Sequence, residues 1–176
     1  MEYGEEEKRR NMIYLDMDGV LADFRRGVLE LCHMEAQDQN GKMDPETENR
    51  MWEKIRTTEH FYNRLELMPG AKEMFDTIYA KYNSRCEILT GVPRPRRGII
   101  TAGPDKIEWT HRLLSPKVKV NIVLRKEKIQ YCKGPEDILI DDYEKNTKEW
   151  QAAGGTAILH TSAEDTLKQL KELGVL

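Results

Sequence analysis

The chain has 176 residues, 39% of them hydrophobic and 34% charged, which suits one domain with a sizeable core and a small insertion rather than two full domains. Its mean hydropathy is −0.72, and no apolar run nears the roughly 20 residues of a membrane span, so no membrane role is expected. A formal net charge of −3, from 28 Lys+Arg against 31 Asp+Glu, excludes a global pull toward nucleic acid or an anionic surface; no stable nucleic-acid partner is expected, and any anionic ligand must be captured locally.

Residues 1–10 are polar and of mixed charge and read as a mobile tail. They lack the apolar stretch of a secretory signal, so a cytoplasmic location is expected. Cys32, Cys86 and Cys132 are far apart, without CxxC or Cys/His spacing, and read as ordinary thiols. The first strand is expected in Met12-Ile13-Tyr14-Leu15, an apolar run that stops at Asp16. Similar runs recur at Cys86 to Thr90, Val118 to Leu124, Ile138 to Asp141 and Thr156 to His160. Runs this short suit strands buried on both faces of a parallel sheet.

Helical patterns lie between the strands. Ala71, Met74, Phe75, Ile78 and Tyr79 recur at helical spacing after Pro69-Gly70; Pro104 reads as a first helical position before Ile107, Trp109 and Leu113; Ser162 reads as the cap of the last helix. Alternating strands and helices imply an α/β fold with right-handed crossovers and three layers. Residues 24–66 break the rhythm, with helical signals around Phe24 to Met34 and Glu46 to Thr58, and read as a helical insertion. The division is a tail at 1–10, a core of 11–23 and 67–176, and the insertion at 24–66.

In such a sheet ligands bind beyond the carboxyl ends of the strands, and Asp16, Thr90 and Asp141 each sit at one. Asp16 and Asp18 stand two apart, followed by Gly19, which can turn the chain at positive φ. Alone, such a pair serves as easily to cap a helix. A second pair, Asp141-Asp142, ends another strand, and two carboxylate pairs on one site would repel unless a cation lay between them. Oxygen ligands of this kind suit Mg2+, which commonly completes its octahedron with substrate phosphate, so a phosphate ester is the expected substrate class. The Thr90 hydroxyl can bind a phosphoryl oxygen and Lys128 can supply positive charge to the transition state.

The ordered set DMDGVLADF (Asp16 to Phe24), ILTG (Ile88 to Gly91), RKEK (Arg125 to Lys128) and ILIDD (Ile138 to Asp142) resembles the four motifs of the haloacid dehalogenase superfamily. Together with RLELMPGA (Arg64 to Ala71) and KIEW (Lys106 to Trp109), it is most similar to the 5′(3′)-deoxyribonucleotidases, the type C five-prime nucleotidases. The resemblance covers nearly everything from Ile13 to Gly155. It implies a Rossmann-like core with a small helical cap, and Asp16 as a nucleophile that becomes an aspartyl phosphate. Asp18 would act as acid and then base. The metal would be held by the Asp16 carboxylate, the Asp18 carbonyl and Asp142, with Asp141 acting through water or hydrogen bonding.

The same resemblance carries the motif lysine to Lys128, with Arg125 and Lys126 close by, and puts Lys126 where relatives have a substrate-contacting arginine. Gly91, Val92, Arg94 and Lys106 join the expected substrate contacts. Phe24 and Tyr62 match positions where the relatives place aromatics near base or sugar, with packing between cap and core as the competing reading; the relatives' further aromatic pair has no counterpart in Ala36 to Asp44. A nucleoside monophosphate is therefore the expected substrate. The alternatives are another small phosphate ester, such as a sugar phosphate, or a non-catalytic nucleotide-binding module.

Other signals read as packing or surface. Arg94 is divided evenly between phosphate contact and a solvated loop, and Arg96 and Arg97 read as solvated. Cys32-His33 lacks a matching acid; His60, His111 and His160 share no metal spacing; Trp52, Trp109 and Trp150 recur within helical patterns.

Overall fold

At the centre of a five-stranded parallel sheet lies β1 (Ile13–Leu15), flanked by β2 (Cys86–Gly91) and β4 (Ile138–Asp141), with β3 (Val120–Val123) and β5 (Thr156–Leu159) outermost, in the order β3-β2-β1-β4-β5. The computed structural model describes residues 11–36 and 40–176, so the expected tail at 1–10 lies outside the described residues. Every residue of β1 and β4 is buried, which is why these strands read as unbroken apolar runs rather than alternating ones. Pleating divides them between two faces. Ile13, Leu15, Ile88, Ile138 and Ile140 join a large cluster with Phe75, Trp109 and Leu170, whereas Tyr14, Leu89 and Leu139 pack with Trp150 on the other side.

The sheet is covered by α3 (Ala71–Tyr82), α4 (Ala102–Leu113), α5 (Glu144–Ala152) and α6 (Ala163–Glu172). Ser162 caps α6 as expected, its side chain accepting from the Asp165 N–H. Pro104 falls two residues inside α4 rather than at its start; the first four N–H groups of a helix have no partner within it, so proline fits there equally well.

Between β1 and α3 the chain forms α1 (Phe24–Cys32), α2 (Pro45–Thr57) and a 3-10 turn at Phe61–Arg64. Asp23 and Asp44 cap the two helices. The incoming and outgoing segments are joined by Asp23 N–H to Glu66 O, 2.8 Å, and Met68 N–H to Leu21 O, 2.8 Å. The insertion has no separate core: Val28, Met51, Ile55, Phe61 and Leu65 belong to the same buried cluster as Ile13 and Phe75, and the Trp109 indole donates to Leu65 O at 2.8 Å. This anchors the insertion beside the carboxyl ends of the strands.

Candidate active site

Order β3-β2-β1-β4-β5 makes the chain depart from β1 toward opposite sheet edges, and such a switch point leaves a crevice at the strand ends. Asp16 follows β1, its N–H bonded to Ile140 O at 2.9 Å; Asp141 ends β4. Met17 O accepts from the N–H groups of Val20, Leu21 and Ala22, a tight turn that returns the chain beneath the site. Gly19 permits the turn with φ +80°, and a Cβ there would run into the Asp142 carboxylate.

Oxygens of Asp16, Asp141 and Asp142 all lie within 4.8 Å of one another. Lys128 Nζ donates to Asp16 Oδ1 at 2.9 Å and Asp141 Oδ2 at 2.8 Å. Asp141, fully buried, also accepts from Tyr143 N–H at 2.8 Å and Asn146 Nδ2 at 3.0 Å. By contrast, Asp142 Oδ1 and Asp18 Oδ1 are buried without a hydrogen-bond partner.

Burial, Asp141 and Asp18 push the Asp16 carboxyl up to about 7, against the pull of Lys128. Asp142 is pushed up to about 9 by burial and by Asp16, Asp141 and Asp18. Burial draws the Lys128 ammonium down, but Asp16 and Asp141 more than offset this and hold it above the usual lysine range. Crowded carboxylates with unpartnered oxygens form a donor set that a small divalent cation would satisfy.

Lys106 approaches from α4, wholly buried. Its Nζ donates to Asp18 Oδ2 at 2.7 Å, Thr90 Oγ1 at 2.9 Å and Gly91 O at 2.7 Å, and lies 4.6 Å from the centre of the Tyr62 ring. Tyr62 is only 1% exposed, and Phe24 stacks beside it with centroids 6.3 Å apart. Tyr62 thus backs Lys106 and Phe24 instead of presenting a free face to a base. Phe24 is half-buried and also meets Phe61 and Trp52.

The remaining expected residues diverge. Val92, half-buried, donates its N–H to Val123 O at 2.9 Å, while Arg94 and Lys126 are exposed. Arg125 turns away to Glu149 Oε2 at 2.8 Å and Asn146 Oδ1 at 3.2 Å, so within its motif Lys128 reaches Asp16. Arg97 is not solvated as expected: its side chain is 14% exposed, bonds Asn49 Oδ1 at 2.7 Å and lies over Trp52 at 5.8 Å, tying the loop after β2 to α2. Sequence reasoning did not find Asn146, whose signal, one asparagine early in α5, is too common to single out. It also missed Asn40, whose carboxamide reaches Asp142 O at 2.7 Å.

A human protein, the mitochondrial 5′(3′)-deoxyribonucleotidase, is 25% identical over 178 residues, spanning 90% of this chain and 74% of the relative. The fold is shared with a hydrolase from Streptococcus pneumoniae TIGR4 (TM-score 0.55, 15% identity, 92% of this chain and 98% of the other). It is shared also with a HAD-superfamily hydrolase from Ehrlichia chaffeensis (TM-score 0.50, 13% identity, 92% and 96%). The model of the family described as 5′ nucleotidase, deoxy (pyrimidine), cytosolic type C protein (NT5C) matches residues 10–169. The chain belongs to that family, and is a phosphoric monoester hydrolase of the haloacid dehalogenase superfamily.

Proposed function

We propose that this protein is a Mg2+-dependent phosphomonoesterase that hydrolyses deoxynucleoside monophosphates through an aspartyl phosphate on Asp16. The observation that carries the reading is the pairing of two carboxylates with two buried lysines: Asp16 on Lys128 and Asp18 on Lys106. The first orients a nucleophile and the second an acid/base group, and the lysines offset the charge of an incoming phosphate.

A carboxylate oxygen of Asp16 attacks phosphorus, and the bond from phosphorus to the leaving oxygen breaks. Asp18, whose Oδ1 has no other partner, protonates that oxygen and the nucleoside departs. Asp18 then takes a proton from water, whose oxygen attacks phosphorus; inorganic phosphate leaves and the Asp16 carboxylate is restored. Thr90 Oγ1 accepts from Lys106 at 2.9 Å, and its O–H, held only by a long 3.5 Å bond to Gly91 O, would turn to donate to a phosphoryl oxygen. Asp16, Asp142 and the Asp18 carbonyl are the proposed ligands of Mg2+, with Asp141, already engaged by Lys128 and Asn146, holding the others in place. The cation would neutralise phosphoryl charge and relieve repulsion among the carboxylates.

Residues 24–66 act in this reading as a cap that selects the leaving group, with Phe24 offered to the nucleobase and Tyr62 supporting Lys106 from behind. The relative's activity on deoxyribonucleotides, stated in its name, supports the substrate class. Three cysteines without a disulfide among the described residues suit a reducing compartment, the cytoplasm included; among the described residues no helix is long and apolar enough to cross a membrane. Phosphate release from deoxynucleoside monophosphates, ribonucleotides, sugar phosphates and p-nitrophenyl phosphate, with Mg2+ or EDTA, tests the proposal. Expected are a preference for deoxynucleotides, loss in EDTA, and near-background rates for Asp16→Asn. Preference for a sugar phosphate overturns the substrate, full turnover in EDTA the metal, and Asp16→Asn activity within about tenfold of wild type, roughly 1.4 kcal/mol of barrier, the covalent route.

A further inference from the structure

Helix α5, which follows the Asp141-Asp142 pair, begins without a local side-chain cap: Tyr143 stands at the N-cap and makes no such bond. Helix starts leave N–H groups without partners inside the helix, and a neighbouring Ser, Thr, Asp or Asn commonly meets one. Here the acceptor comes from far along the chain. Asn40 Oδ1 accepts from Glu144 N–H at 2.8 Å, and Asn40 Nδ2 donates to Asp142 O at 2.7 Å. One planar carboxamide therefore grips the main chain on both sides of Tyr143. Its stretch, Ala36 to Asp44, contains no aromatic residue.

The clamp acts where the site is under electrostatic load. The Asp142 carboxylate lies against Gly19, has a buried oxygen without a partner and shares its surroundings with Asp16 and Asp141. Like charges at this spacing drive the side chain outward. Asp141 is secured through its own side-chain bonds to Lys128, Tyr143 N–H and Asn146, whereas the Asn40 carboxamide holds the backbone at Asp142 and Glu144. We propose that Asn40 is a positioning residue for the cation site, fixing the peptide that carries Asp142 so that its carboxylate stays aimed at the cation. The inference rests on the Mg2+ reading above and extends it to a residue of the insertion. Groups that orient metal ligands typically change metal affinity by about 10–100-fold.

The test is calorimetric titration of MgCl2 into substrate-free wild type, Asn40→Ala and Asp142→Asn, with circular dichroism to verify folding. Expected are binding by wild type, a dissociation constant raised about tenfold in folded Asn40→Ala, and loss of binding in Asp142→Asn. If Asn40→Ala does not fold, Asn40→Ser is judged by the same criterion. Unchanged Mg2+ affinity in the folded variant overturns the role of Asn40, even if thermal stability falls, because that is what a helix cap alone would do. Wild type that binds no Mg2+ overturns the metal reading itself.

Discussion

Lys106 Nζ lies 2.7 Å from Asp18 Oδ2, and the lysine that makes this bond has no exposed surface. Taking an ammonium wholly out of water is costly unless each N–H finds an acceptor; Asp18, Thr90 Oγ1 and Gly91 O provide three, and the Tyr62 ring faces the charge. α4 thus carries a cation into the middle of the site from outside the strand ends.

Lys106→Met keeps most of the volume and removes the charge, leaving Asp18 without its cation. The expected result is a fall in kcat/KM of about 10²–10³-fold and a loss of about 2–3 kcal/mol in urea unfolding, at or below the low end for a broken buried pair because Asp18 keeps 14% of its side chain exposed. Wild-type kinetics would remove Lys106 from the site.

Gly19→Ala tests the close packing of the Asp16–Gly19 turn against Asp142. The backbone at φ +80° disfavours any Cβ, and this one meets the Asp142 carboxylate. A stability loss of about 1–2 kcal/mol from the left-handed backbone, with activity reduced more than tenfold at saturating Mg2+, is the expected outcome. Measured by chemical denaturation and phosphate release, an alanine variant with full activity would show that Asp142 can move aside without consequence.

Arg97 fastens the loop after β2 to α2 through Asn49 and the Trp52 face, with Glu48 3.6 Å away. Losing one hydrogen bond and one cation–π contact in Arg97→Ala should lower stability by about 1–2 kcal/mol. Arg97→Lys should recover only part of this, since lysine lacks the planar fork. Equal stabilities for all three proteins in urea would mean that the clasp contributes nothing.

His60 Nδ1 pairs with Asp105 Oδ1 at 2.8 Å, linking the insertion to α4. The hydrogen bond and charge of Asp105 raise the His60 pKa above its usual 6.5, with smaller contributions from Glu59 and Glu108. The folded protein therefore binds the His60 proton more tightly than the unfolded chain, so the pair's contribution is full below about pH 6.5 and disappears as pH rises through the higher folded value. NMR titration should give His60 a raised pKa in wild type and an ordinary one in Asp105→Asn. Between pH 6 and pH 8.5, wild type should lose more stability than His60→Gln; identical pH profiles would dissociate the pair from folding.

Much of this protein is legible along the chain because its signals are local. Short apolar runs ending in Asp16, Thr90 and Asp141 mark strands buried on both faces; Ser162 marks a helix start; the Asp16, Asp18, Lys128 and Asp141-Asp142 motifs mark the proposed phosphoryl site. What each polar side chain does there depends on partners brought together by the sheet and the insertion, often about a hundred residues apart. Lys128, not Arg125, reaches Asp16, because Arg125 is claimed by Glu149 and Asn146 on α5. Tyr62 matches an aromatic position in sequence, yet Lys106 and Phe24 occupy its ring. Arg97 looks like a solvated loop residue until α2 brings Asn49 and Trp52 beneath it. Asn40 gives no local sign at all, since its two backbone partners lie 102 and 104 residues further on. Hydrophobic period and turn chemistry are written in neighbouring residues, whereas the partner of a buried charge is chosen by whichever groups the folded chain leaves within about 3 Å of it.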